Sequence, residues 1–316
     1  EARWTKAYVK YQIPNTKSHF IIGRASGKEF AKPKTGDGDF HQGIGIIIED
    51  IPRMTIKASA INAWLNNASA SWDLDGMDSD WQDMDSLHDE NPGSFAYTML
   101  AEIDAVPAWL TLTPYVQYHK NVATSIGSAY KLEHAVSEEL NLGVDGAYAM
   151  HYEDTPDAVS ATDEDISHFL IHPYGKMNNF KLGVGYYSMS NDIAPMNTSA
   201  EGGDDFEDTF LTDELDPTAE DLAKYGEQPG NDTFFVDAGY SHGPFEFAVV
   251  YAWTDNAMVE DGVKNKGKAN ELNAKIKVAF TENLSGELAY VNLSDDFTSD
   301  KDRSVDYVAG ALSYKF

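Results

Sequence analysis

A two-residue alternation of apolar and polar side chains runs along nearly the whole chain, in stretches of about ten residues rather than five. In Phe95-Ala-Tyr-Thr-Met-Leu-Ala-Glu-Ile-Asp104, Phe95, Tyr97, Met99, Ala101 and Ile103 form an apolar face, with Thr98, Glu102 and Asp104 opposite. Successive side chains of an extended backbone point to opposite sides, so the pattern prescribes strands with one greasy and one wet face. It recurs in Leu110–His119, Leu140–His151, Phe180–Ser188, Phe245–Trp253, Leu272–Phe280 and Tyr307–Phe316. About fifteen segments follow one another, near 4–12, 18–26, 41–50, 53–64, 94–105, 108–120, 126–136, 139–152, 164–175, 179–190, 233–242, 244–255, 269–280, 285–296 and 304–316.

The connections alternate as well. Short turns near 14–16, 51–53, 105–108, 136–139, 176–178, 241–244 and 281–285 are interleaved with longer stretches at 27–40, 65–92, 120–126, 153–165, 190–232, 255–268 and 296–304. Every long loop therefore falls at one end of the sheet, and the two ends face different media. Ten-residue strands, an apolar-out and polar-in dyad, and turns alternating with long polar loops specify an all-β fold, a transmembrane antiparallel β-barrel. No apolar run approaches the roughly 18 residues that a spanning helix needs.

The chain ends Tyr307-Val-Ala-Gly-Ala-Leu-Ser-Tyr-Lys-Phe316, with Val308, Leu312, Tyr314 and Phe316 on one face. This resembles the C-terminal strand signal of bacterial outer-membrane proteins, which implies a periplasmic C-terminus, periplasmic short turns and extracellular long loops. The first segment then descends, and a closed antiparallel wall needs an ascending strand before it. The expectation is a single barrel domain over 1–316 that lacks its N-terminal strand or strands, with 16 strands as the smallest even count.

Fifty-two acidic residues against 23 basic ones give a net charge of −29, which argues against nucleic-acid binding and makes cations the natural partners. The absence of cysteine excludes disulfide scaffolds, thiolate zinc sites and cysteine nucleophiles. Charge on a lipid face costs about 2–4 kcal/mol per Lys or Arg near the midplane, so charged residues in alternating strands are assigned inward. These are Lys10, Arg24, Lys57, Glu102, Asp104, Asp145, Lys181, Asp237, Glu246, Lys275, Lys277 and Glu287. Opposed rows of acid and base across a narrow lumen would set up a transverse field that orients solutes and filters ions. Trp64, Trp109, Tyr152, Trp253 and other aromatics near strand ends suit interfacial girdles.

The opening 65 residues carry a Tyr-rich strand, Ile22-Gly23-Arg24, a loop with Phe30 and Pro33, and a strand leading into Met54-Thr-Ile-Lys-Ala58. In this they resemble OprD-like porins and the major outer membrane porins of campylobacter-type bacteria, departing from them at Asp39-Phe-His-Gln-Gly43. The resemblance implies an 18-stranded barrel in the Gram-negative outer membrane, homotrimers seated among lipid and lipopolysaccharide, and an inward-folded loop narrowing each pore. Ala58 and Ala60 on the outer face suit close approach of a neighbouring subunit.

Signals for catalysis are weak. His168 and His172 share a strand face without the adjacent glutamate of a zincin helix, and read as polar wall residues. Gly43-Ile-Gly45 and Gly183-Val-Gly185 lack a third glycine and a following helix, and read as wall glycines that relieve crowding. In the loop over 190–232, Thr218, Asp221 and Gly226 predict one short helix over 216–226. Asp73, Asp75, Asp78 and Asp80 in the loop over 65–92 lack EF-hand order, yet they are candidate oxygen ligands for weak Ca²⁺ binding. The resulting reading is a passive, cation-favouring porin for small hydrophilic solutes that needs no cofactor, with Ca²⁺ as a conditional one. A substrate-specific channel, an outer-membrane enzyme and an adhesion barrel are its rivals.

Overall fold

The structure is a computed structural model that describes residues 7–26, 30, 40–65, 82–83, 95–104, 109–119, 123–153, 166–189, 231–260, 263–295 and 303–314. Within them the backbone is all strand and turn. The strands are β1 (Ala7–Gln12), β2 (His19–Ser26), β3 (Phe40–Ile51), β4 (Met54–Leu65), β5 (Gln82–Asp83), β6 (Ala96–Asp104), β7 (Leu110–His119) and β8 (Ala123–Ala135). They continue as β9 (Leu140–Glu153), β10 (Ile166–Met177), β11 (Phe180–Met189), β12 (Asn231–His242), β13 (Phe245–Glu260), β14 (Val263–Ala279), β15 (Leu284–Asp295) and β16 (Arg303–Tyr314). All fifteen segments anticipated from the alternation are present, and β5 adds a two-residue pairing with Ala63 and Trp64 of β4.

The chain forms two compact units, the first holding β1 to β7 and the second β10 to β16, with β8 and β9 divided between them. In the first unit, Val9, Ile22, Ile44, Ala60, Tyr97 and Tyr118 stand opposite one another across six consecutive strands of the ladder. All but Ala60 are exposed. One residue along, the row reads Lys10, Ile21, Gly45, Ser59, Thr98 and Gln117, and Ile21, Ser59, Thr98 and Gln117 are buried. Water would not tolerate a contiguous exposed apolar row of this length, whereas hydrocarbon favours it. Every backbone group in such a medium must be paired within the sheet, and the antiparallel ladder provides that pairing.

The second unit repeats the arrangement. Phe180, Tyr240, Phe247, Ile276 and Leu288 form one row across β11 to β15, with Phe180 and Tyr240 ring centroids 4.4 Å apart. The neighbouring row is Lys181, Gly239, Ala248, Lys275 and Ala289.

The short turns are tight where the alternation places them. Pro52-Arg53, Asn178-Asn179 and Gly243-Pro244 each join paired strand ends directly, with φ of 62° at Arg53, 51° at Asn178 and 58° at Gly243. Positive φ matches two-residue hairpins to the twist of the strands they join, and Asn and Gly accept it readily. Arg53 does so at a cost, held in place by the Asp104 amide donating to its carbonyl at 2.9 Å. The turn between β1 and β2 is stitched to β3 instead. Asp50 accepts from the Lys17 amide at 2.8 Å and from the Ser18 hydroxyl, whose oxygen accepts from the Glu49 amide at 3.2 Å.

One expectation about loops changes. The long connection read over 255–268 is mostly ladder: β13 and β14 run 16 and 17 residues and stay paired as far as Glu260 opposite Val263. Its sequence is rich in Asp, Asn, Lys and Gly and sets Ala257, Met258 and Val259 side by side, so the two-residue alternation breaks while backbone pairing continues. The predicted helix over 216–226 lies outside the described residues.

Candidate functional site

The row facing away from the apolar side carries the chemistry, and its composition differs between the two units. In the first unit it encloses an apolar cluster of Ile21, Ala25, Phe30, Ile47, Ile61 and Ala96. Phe30 is 1% exposed, and its ring lies against Gly45, where a Cβ would stand 2.7 Å from the ring edge. Lys57 donates to Glu102 at 2.6 Å, and Asp104 accepts from Thr111 at 3.3 Å. Lys10 stands opposite Ile21 on this same row.

Arg24 departs from the expectation that it points inward. It stands opposite Ala7 and Gln42, on the face of Phe20, Ile22 and Ile44, and its Nε donates to Gln42 Oε1 at 2.8 Å. Gln42 Nε2 in turn lies 3.5 Å from Asn62 Oδ1. Reading charge as a mark of the inner face ignores depth. Arg24 is two residues from the end of β2, and a lipid-side charge near an interface costs only about 0–1 kcal/mol.

In the second unit the corresponding face is dense in charge. Lys275 and Lys277 flank Glu287 at 3.6 and 3.5 Å, and Glu246 stands opposite Lys277. Lys181 lies 3.5 Å from Asp237. Tyr174 donates to Glu133 at 2.8 Å, as does Lys176 at 3.3 Å, and Lys176 and Lys181 place their ammonium groups 5.0 and 5.4 Å from the Tyr174 ring centre. Acids and bases alternate on adjacent strands, so much of the local field is cancelled at short range. Partly exposed pairs of this kind contribute about 0–1 kcal/mol each to stability, so their consequence lies in the field they leave along the wall.

At the centre stands His172 of β10. Its Nδ1 is 2.8 Å from Asp145 Oδ1 on β9, and its Nε2 is 2.8 Å from Asp237 Oδ2 on β12. The rings of Tyr174 and Phe235 flank it, with centroids 5.6 and 5.3 Å away. Three glycines make this possible. A Cβ at Gly183 would collide with His172 and Asp237, one at Gly143 with the Tyr174 ring, and one at Gly185 with the Phe235 ring. The wall glycines therefore make room for large side chains laid flat across neighbouring strands, which refines the expectation that they relieve crowding.

Asp145, Lys181 and Asp237, three of the residues assigned inward from alternation, are thus brought together by a histidine that the sequence marked only as a polar wall residue. The signal existed in the glycine pair at 183 and 185 and in acids at inward positions, but their union needs the register of β9 to β12. Asp73, Asp75, Asp78 and Asp80 lie outside the described residues, and among those described no group of three or more His, Asp or Glu is placed to hold a metal ion.

A sequence profile described as the Campylobacter major outer membrane protein matches residues 3–315. Solved structures similar to the chain include Pseudomonas aeruginosa OpdK with vanillate, 14% identical, with 96% of this chain and 78% of that one covered at a TM-score of 0.67. P. aeruginosa OccK2 in complex with glucuronate is 13% identical over 98% of this chain and 81% of that one, with a TM-score of 0.66. Acinetobacter baumannii OccAB3 is 12% identical over 93% and 75%, with a TM-score of 0.63. No curated protein sequence matches. The shared fold is the transmembrane antiparallel β-barrel of outer-membrane channels.

Proposed function

This chain belongs to the Campylobacter major outer membrane protein family, as an outer-membrane porin for small solutes, and we propose that solutes cross it by passive diffusion through a lumen that favours cations. The observation that carries this reading is an exposed apolar row in each unit with polar side chains one residue along, Lys10, Ser59, Thr98 and Gln117 in the first and Lys181 and Lys275 in the second. The polar row becomes the lumen wall, lined by Lys10, Lys57, Glu102, Asp104, Asp145, Lys181, Asp237, Glu246, Lys275, Lys277 and Glu287. The net charge of −29 supports the cation preference, since acidic loops raise cation concentration at the mouth.

The reading extends to a homotrimer among lipid and lipopolysaccharide, with long loops outside and the C-terminus in the periplasm. Neither catalysis nor a required cofactor belongs to it, and Ca²⁺ is a conditional ligand of Asp73, Asp75, Asp78 and Asp80. Planar-bilayer recording across a KCl gradient tests the selectivity: a reversal potential on the potassium side is expected, and one on the chloride side would overturn the cation preference.

A second reading, a substrate-specific channel, is favoured by Lys176 and Lys181 converging on the Tyr174 ring in a fold shared with OpdK with vanillate and OccK2 with glucuronate. Saturable block of single-channel current by a small aromatic or sugar carboxylate would support it, and current that is linear in solute would count against it.

A further inference from the structure

We infer that His172 sets the charge selectivity of the lumen wall in the second unit, as a locked imidazolium that neutralises one of the two carboxylates holding it. The inference rests on the porin reading, because it requires this face to line the pore.

The geometry carries it. A neutral imidazole has one donating and one accepting nitrogen. Set between two carboxylates at 2.8 Å on either side, the accepting nitrogen of a neutral ring would face a lone pair, whereas the imidazolium donates in both directions. Lys181 lies 3.5 Å from the other oxygen of Asp237, so this carboxylate has His172 on one oxygen and an ammonium on the other. The ring has little freedom to leave. Tyr174 and Phe235 flank it, the space above Gly183 is filled by His172 and Asp237, and the side chain is 6% exposed.

The local charges are then two negative, from Asp145 and Asp237, and two positive, from His172 and Lys181. The neighbouring Lys176–Glu133 pair, at 3.3 Å, cancels as well. A cation meets a neutral wall at this point rather than an acidic trap. That suits conduction, in which a site must be weak enough to release what it admits.

The test is a charge cycle read by reversal potential, at neutral pH, on the full chain reconstituted in planar bilayers. His172→Gln keeps an amide between the carboxylates and removes one positive charge. The cation-to-anion permeability ratio is expected to rise, by about twofold or more. Asp145→Asn removes one negative charge and is expected to lower the ratio. His172→Gln with Asp145→Asn restores the original net charge and is expected to return the ratio to that of the unaltered protein.

A purely structural role for His172 would not produce this sign reversal and cancellation. Should His172→Gln alone fail to insert, the comparison of Asp145→Asn with the double variant carries the same information, and the double variant is expected to be the more cation-selective. An unmoved ratio on His172→Gln, or a shift in the same direction for His172→Gln and Asp145→Asn, would overturn the inference in a protein that still conducts. An unaltered protein that gives no channel steps would instead overturn the porin reading on which it rests.

Discussion

The two units share one outer face and differ in the inner one. Outside, each presents rows such as Val9-Ile22-Ile44 and Phe180-Tyr240-Phe247, because hydrocarbon imposes the same demand on both. Inside, the first unit buries Ile21, Phe30, Ile47 and Ile61 beside neutral Ser59, Thr98 and Gln117, while the second sets Asp145 and Asp237 against His172, Lys181 beside Asp237, and Lys275, Lys277 and Glu287 along β14 and β15. The lipid side is constrained by solvent and the inner side by neighbours, so chemistry that distinguishes one channel from another accumulates on the inner side.

The largest effect that would break this contrast is at Phe30. Phe30→Ala removes a ring buried against Gly45 and is expected to cost about 3–5 kcal/mol, read as a lower midpoint of urea unfolding in lipid vesicles. Next comes a pair of lysines on opposite faces of β13. Val249→Lys puts a charge on the apolar face four residues into β13 and is expected to cost about 2–4 kcal/mol, whereas Val250→Lys, opposite Asp237, is expected to cost under about 1 kcal/mol. Equal costs would dissolve the distinction between faces. Smaller again is Gly185→Val, which must displace the Phe235 ring and is expected to cost about 1–3 kcal/mol, against a near-neutral Gly310→Ala, where the nearest atom is 3.8 Å from the added carbon.

The strands were legible because a membrane forces the alternation to be strict: the outer face of β6, Tyr97 and Met99, can be read from the sequence alone. Legibility ended where that force ended. Beyond Thr254 the strands β13 and β14 stay paired, but their sequence turns to Asp, Asn, Lys and Gly with Ala257, Met258 and Val259 in a row, so pairing there leaves no two-residue alternation. Arg24 was misassigned for a related reason, since charge reports the inner face only at depth. The His172 site was legible in parts but not as a whole. Asp145, His172 and Asp237 lie 27 and 65 residues apart, and only the register of the sheet brings two acids to the two nitrogens of one ring.

The central claim, that one side of the alternating wall meets water and the other meets lipid, is most directly tested by exploiting the absence of cysteine. Val249→Cys and Val250→Cys are adjacent on β13 and fall on opposite faces. A charged, membrane-impermeant thiol reagent added to the reconstituted channel is expected to lower the single-channel current of Val250→Cys and to leave Val249→Cys unchanged. Modification of Val249→Cys with Val250→Cys inert, or of both alike, would contradict it.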